Sequence, residues 1–233
     1  MTLPDAHQEH SPHGPLHHGL YPATVTALEG DPQSRQRIEV ALDWLALTSG
    51  GDPPRAWATV VTPYADSDQG FQMLPEVGSS VVVGFLAGHL DHPYVVGAVW
   101  NGNAQAPDSF SDSNNTRVIQ TRGGSRLEFD DREGAVRVRI SAAGDADGGV
   151  NKIVLDDADG SITISGKAGA TITLTAAGGV TIDAASTVDV RAAMVTVDAP
   201  MSQFNGIVTC DTLIAKGGGV VSPMYTPGAG NVW

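Results

Sequence analysis

Between residues 151 and 198 the chain repeats one small unit, two aliphatic residues separated by a single position. The pairs are Ile153/Leu155, Ile162/Ile164, Ile172/Leu174, Val180/Ile182, Val188/Val190 and Val195/Val197. Residues two apart lie on one face of a strand, whereas a helical period of 3.6 would turn them apart. From pair to pair the step is 9, 10, 8, 8 and 7 residues. Leu127/Phe129 and Val136/Val138/Ile140 read as earlier, longer members of the series. Glycines at 160, 166, 169, 178 and 179 supply corners, and no aromatic residue interrupts the stretch. A repeat of about eight residues predicts short stacked strands, a β-solenoid or β-helix.

Such a repeat is not self-sufficient. Burying one of its aliphatic side chains contributes at most about 1.5–3 kcal/mol. Ordering an eight-residue segment costs roughly 8–16 kcal/mol in backbone entropy. Each strand therefore needs hydrogen-bonded neighbours above and below. One chain coiling on itself and three chains winding round one axis both satisfy this, and periodicity does not choose between them.

Composition narrows the function. The 233 residues carry 13 Lys and Arg against 26 Asp and Glu, a net charge of −13. Residues 1–150 alone hold 9 bases and 19 acids. A surface of this sign repels a phosphate backbone, which argues against nucleic acid as a partner. No apolar run approaches the ~18 residues of a membrane helix. The first ten residues, MTLPDAHQEH, lack the basic-then-apolar order of a secretory signal, so synthesis in the cytoplasm is expected. A single cysteine, Cys210, leaves no intrachain disulfide framework.

Five segments follow. Residues 1–19 form an arm holding five of the seven histidines, His7, His10, His13, His17 and His18. Metal binding is one reading of these imidazoles. With so little apolar content to fix ligand geometry, an arm that orders against a neighbour is the reading adopted, with no metal or cofactor. Residues 20–102 read as a small β-barrel, with strands at 37–42, 56–61, 81–85 and 94–100 and Pro-, Gly- and Asp-rich turns between them. Trp44, Trp57 and Trp100 fall here, and large aromatics are expected to fill the barrel interior. Residues 103–116 form a polar, turn-rich linker. Residues 117–215 are the repetitive shaft. Residues 216–233 leave the repeat and form a tip segment.

The stretch Gly70-Phe71-Gln72-Met73-Leu74-Pro75-Glu76-Val77-Gly78, running on through Val81-Val82-Val83-Gly84-Phe85-Leu86, carries a resemblance. It continues at His89, Asp91-His92-Pro93-Tyr94-Val95-Val96-Gly97 and Trp100-Asn101-Gly102. With Tyr21 to Val25 and Trp57 to Val60, these residues resemble the oligonucleotide/oligosaccharide-binding-type barrel of VgrG and phage-baseplate central spike proteins. The resemblance implies an all-β chain, an OB-type barrel followed by a trimeric intertwined β-helix. It implies a homotrimeric, non-enzymatic, membrane-puncturing needle on the hub of a phage tail, tailocin or contractile injection system. The twelve residues of the six pairs would line the shaft core. Val220, Val221, Met224, Tyr225 and Trp233 would cap the shaft or seat a PAAR-like tip protein. Only about 20 residues precede the barrel, in place of the large hub domain of VgrG proteins, which points to the short spike proteins. Some tips of this kind bind iron through His-x-His; no histidine follows His92, so no such site is expected.

The competing expectation is a β-solenoid polysaccharide-degrading enzyme. Its carboxylates would come from Asp156, Asp157, Asp159, Asp183, Asp189, Asp198 and Asp211. Glycosidases need two carboxyls about 5–9.5 Å apart, one with a raised pKa. Asp156, Asp183 and Asp198 directly follow an apolar pair and Asp189 sits within one, which places them on the opposite, solvent-facing side of a strand. His89 and His92 flank Asp91 in a turn, where a hairpin corner accounts for them.

Overall fold

A computed structural model describes residues 16–49, 51–142, 151–214 and 216. The first five major strands alternate β-branched residues with smaller or polar ones, and their inward sets meet. These are β1 (Leu20–Ala27), β2 (Ile38–Ala41), β3 (Arg55–Val60), β6 (Ser80–Phe85) and β7 (Pro93–Ala98). They close into a barrel in the order β1-β2-β3-β7-β6. All neighbours are antiparallel except β3 and β7, which run parallel through Thr59–Tyr94 and Val60–Val95. The barrel core is Ala23, Val25, Ile38, Val40, Leu42, Ala58, Val81, Val83 and Val95.

That core corrects one expectation. No tryptophan fills the barrel. Ala58 is fully buried, so its neighbour Trp57 points to the other face by strand alternation. Trp44 is half-buried and packs against this core, stacked on Tyr21 with ring centroids 4.4 Å apart, and Trp100 is exposed. The five strands enclose a space that Val, Ile, Ala and Leu42 occupy, and no indole belongs to that buried set.

Two elements escape the sequence pattern. A seven-residue helix α1 (Asp43–Ser49) crosses between β2 and β3. A two-residue ladder, β4 (Ala65–Asp66) with β5 (Gln69–Gly70), stands on the loop before β6. Residues 16–18 lie against the barrel: the His17 N–H donates to the Gly88 carbonyl at 2.9 Å. The His17 ring meets Trp44 edge-on, with centroids 5.2 Å apart. His7, His10 and His13 lie outside the described residues.

After the linker, seven strands form one antiparallel meander, β8 (Thr116–Gln120), β9 (Arg126–Asp130), β10 (Arg137–Ser141), β11 (Lys152–Asp156), β12 (Ser161–Ser165), β13 (Thr171–Leu174) and β14 (Val180–Asp183). Within one chain, strands β8 to β14 do not coil; each runs antiparallel to the next. The reason lies in the turns. In Thr175 to Gly179 the Gly178 N–H donates to Thr175 O at 2.9 Å and Thr175 N–H to Gly179 O at 3.0 Å, with Gly178 at φ +80. Thr121 to Ser125 and Gly166 to Ala170 repeat both bonds. A type I turn followed by a left-handed residue closes a hairpin and cannot carry the chain on in the same direction.

The chain divides into two units, residues 1–185 and 186–233. In the second, the described residues 186–214 contain no strand, and all are exposed.

Candidate functional site

The meander brings the aliphatic pairs into register. Across the sheet, Leu127 faces Ile140, Ile140 faces Ile153, Ile153 faces Ile164, Ile164 faces Ile172 and Ile172 faces Ile182. A second row runs Phe129, Val138, Leu155, Ile162, Leu174 and Val180. Directly opposed residues on one face have Cβ atoms about 4.5–5.5 Å apart, so each row is a continuous apolar ridge. One chain leaves these ridges open. Ile164 is 42% exposed, Ile172 38%, Leu174 39% and Ile182 59%. Soluble monomers seldom expose contiguous apolar faces of this kind, which mark interaction surfaces.

Four of the twelve predicted shaft-core residues, Val188, Val190, Val195 and Val197, lie beyond β14 in the second unit and are exposed. The other eight, Ile153, Leu155, Ile162, Ile164, Ile172, Leu174, Val180 and Ile182, share the two rows. Sequence spacing identified these pairs, with Leu127/Phe129 before them, but not Ile119. Ile119 extends the first row by facing Leu127 on β9, and Phe129 belongs to the second. The tip residues Val220, Val221, Met224, Tyr225 and Trp233 lie outside the described residues.

The opposite face of the sheet is polar and held by ion pairs. Asp156, only 9% exposed, accepts the Arg137 Nε–H at 2.8 Å. That guanidinium holds the Asp156 carboxyl below the usual carboxylate range. Asp130, likewise buried, is held low in the same sense by Arg132, whose Nε–H reaches it at 2.9 Å. Asp156 therefore departs from the solvated outer position expected of it; it follows the apolar pair as alternation requires, but its partner on β10 covers it.

These carboxyls are unsuited to acid catalysis. A general acid in a glycosidase needs a raised pKa, and Arg137 moves Asp156 the other way. A shallow cleft lined by Val138, Leu155, Ile162, Arg137 and Asp156 overlaps the apolar ridge rather than forming an enclosed site. Asp189 is exposed and paired with the equally exposed Arg191 at 3.2 Å. The histidines near Asp91 build a turn through their backbones: His92 N–H donates to His89 O, and Leu86 N–H to His92 O, at 3.1 and 3.0 Å.

Comparison with known proteins agrees with this division into barrel and sheet. Residues 21–100 match the Type VI secretion system/phage-baseplate injector OB domain. Residues 146–207 match the phage baseplate V C-terminal trimerisation domain. Among curated proteins, the chain is 28% identical to the Type VI secretion system spike protein VgrG3 of Vibrio cholerae over 133 residues, covering 54% of this chain and 13% of that relative. It is 27% identical to the actin cross-linking toxin VgrG1 of the same species, over 54% of this chain and 12% of the toxin. A third relative, the spike protein VgrG5 of Pseudomonas aeruginosa, is 27% identical over 55% of this chain and 18% of its own length. The aligned part thus spans less than a fifth of each of these relatives.

Proposed function

From the premise that this chain belongs to the VgrG and phage-baseplate spike family, we propose that three copies join along the open sheet face to make a rigid central spike. The observation that carries this reading is the pair of in-register aliphatic rows left uncovered in a single chain. Three sheets, each turning its ridges inward, would close a three-sided prism with a dry interior. A match to a trimerisation domain over residues 146–207 supports three as the copy number.

The prism has two parts in this reading. Strands β8 to β14 pair within their own chain and supply one face each. Beyond β14 the aliphatic pairs continue at Val188/Val190 and Val195/Val197, but the described residues find no strand partner in the same chain. The partners are then strands of the other two copies, and the intertwined β-helix begins near residue 186. At a strand spacing of about 4.8 Å the seven-stranded part alone spans roughly 30 Å.

The role that follows is mechanical. The spike is made in the cytoplasm and assembled in the baseplate of a tail or injection particle. Its barrel seats on the hub, the arm reaches onto that neighbour, and the shaft is driven through a target envelope. The residues at 220–233 would seat a PAAR-like tip protein. No catalytic step is assigned; the shaft carboxylates with a resolved shift are held low by arginines rather than raised. Stiffness comes from the continuous ladder, since bending must break many backbone bonds together. Pairing distal strands between copies also removes the free sheet edge at β14, which would otherwise invite aggregation.

Light scattering on the full chain tests the proposal. Three chains of 24.1 kDa are expected in one particle. A monomer at micromolar concentration would overturn it.

A further inference from the structure

The seventeen residues between β7 and β8, 99–115, are fastened along their length. At the barrel end, Asn101 Nδ2 donates to Ser80 Oγ at 2.7 Å. The Asn101 Oδ1 accepts the N–H groups of Asn103 and Ala104 at 2.8 and 2.9 Å. The Phe110 ring meets Trp100 edge-on, centroids 5.9 Å apart. At the sheet end, the Asp131 N–H donates to Asn115 O at 2.9 Å.

The centre of the linker is held by Arg126. All three nitrogens of its guanidinium are engaged, each on a different element. Nε donates to Glu128 Oε2 on β9 at 2.7 Å, Nη1 to Gln120 Oε1 on β8 at 2.9 Å, and Nη2 to Asp108 Oδ2 in the linker at 2.6 Å. Two acceptors in the sheet fix the guanidinium, and the third captures the passing chain. The Arg126 side chain is 17% exposed, so this pair is better shielded from water than the Glu76–Arg122 pair, whose side chains are 56% and 82% exposed. Exposed pairs of that kind contribute little.

We infer that Asp108 and Arg126 turn the linker into a strap, and that Arg126 is the positioning residue for the joint between barrel and sheet. A free seventeen-residue tether has a root-mean-square span of about 20–25 Å and would absorb an axial push by bending. Pinned at Asp108, the free length falls to two short runs, and load on the barrel passes to β8 and β9. The inference concerns contacts inside one chain and stands apart from the number of copies.

Spin-label distances test it in the full-length protein. One label goes at Ser67→Cys on the barrel and one at Ala168→Cys in the β12–β13 turn, with Cys210→Ser, and labelled chains are diluted among unlabelled ones. Asp108→Ala removes the acceptor in the linker and keeps the Glu128 and Gln120 bonds of Arg126, so the sheet stays folded while the strap is released. The distance distribution is expected to widen at least twofold, with chymotryptic cleavage at Phe110 rising about tenfold, and Asp108→Glu should restore both. Arg122→Ala should change neither. Equal widths in Asp108→Ala and the parent, or widening by Arg122→Ala alone, would overturn the inference. Particle mass by light scattering reports separately on the spike proposal: it stays constant across these variants if only the joint is affected.

Discussion

Asp31 and Arg37 close the loop between β1 and β2 on each other: Arg37 Nη2 and Nε donate to the two oxygens of one carboxylate, at 2.6 and 3.1 Å. The same carboxylate accepts the backbone N–H groups of Gln33 and Arg35 at 3.0 and 2.7 Å. With the Asp31 side chain only 6% exposed, the arginine and the amides hold its carboxyl far below the usual range. Asp130 and Asp156 are depressed in the same way by Arg132 and Arg137.

The pH dependence has a definite sign. Near neutral pH these three groups are ionised in both folded and unfolded chains. As pH falls through the ordinary value of 3.8, the unfolded chain takes up protons first. Stability present above that pH is therefore lost progressively below it. Urea titrations between pH 6 and pH 2 should show a steep fall only under about pH 4, and Asp31→Asn should flatten it. A curve of unchanged steepness in that variant would remove Asp31 from the account.

Ile172→Asp places a carboxylate between Ile164 and Ile182, near the β14 end of the first row. In a closed trimer three such charges would share a dry core, at several kcal/mol each. Light scattering is expected to report monomers. An unchanged particle mass would show that this face is not the interior.

Ile38→Ala tests the barrel separately. Ile38 is 1% exposed among Val25, Val40 and Val95. Deleting its buried methyl and methylene groups should cost about 2–5 kcal/mol. Calorimetry should find the barrel transition lowered, while the particle mass at 20 °C stays that of the parent.

Gly88→Ala tests how residues 16–18 are held. Gly88 has φ +82, and a Cβ there would stand 3.1 Å from Leu16 Cβ and 3.2 Å from His17 N. The left-handed conformation costs a non-glycine residue about 1–2 kcal/mol before any clash. The expected result is release of His17 from the Trp44–Tyr21 stack, read as a change in Trp44 fluorescence. No spectral change would mean that the segment yields without detaching.

Asp189→Ala should be nearly silent, within about 0.5 kcal/mol, because both Asp189 and Arg191 are solvated. Loss of biological activity with the particle intact would reopen the enzymatic alternative.

Much of this architecture could be read locally. Ile162/Ile164 and Ile172/Leu174 declare their shared face through a two-residue period, which needs no knowledge of neighbours. The barrel strands around Val40, Val83 and Val95 were legible for the same reason, to within one or two residues at their ends. The helix at 43–49 was not, because seven residues are too few to separate a helical period from a strand. Nor was the captured Asp156, since its partner Arg137 lies nineteen residues away on another strand.

Alternation along the backbone is a property of consecutive residues, so the sequence alone determined which side chains travel together and that they need a covered face. Whether successive strands advance or reverse depended on hydrogen bonds across the corners, as at Thr175 and Gly179. Which side of β3 faces inward depended on barrel closure, and so decided that Ala58 rather than Trp57 is buried. Those outcomes rest on contacts between residues distant in the chain, and only the folded structure brings such residues together.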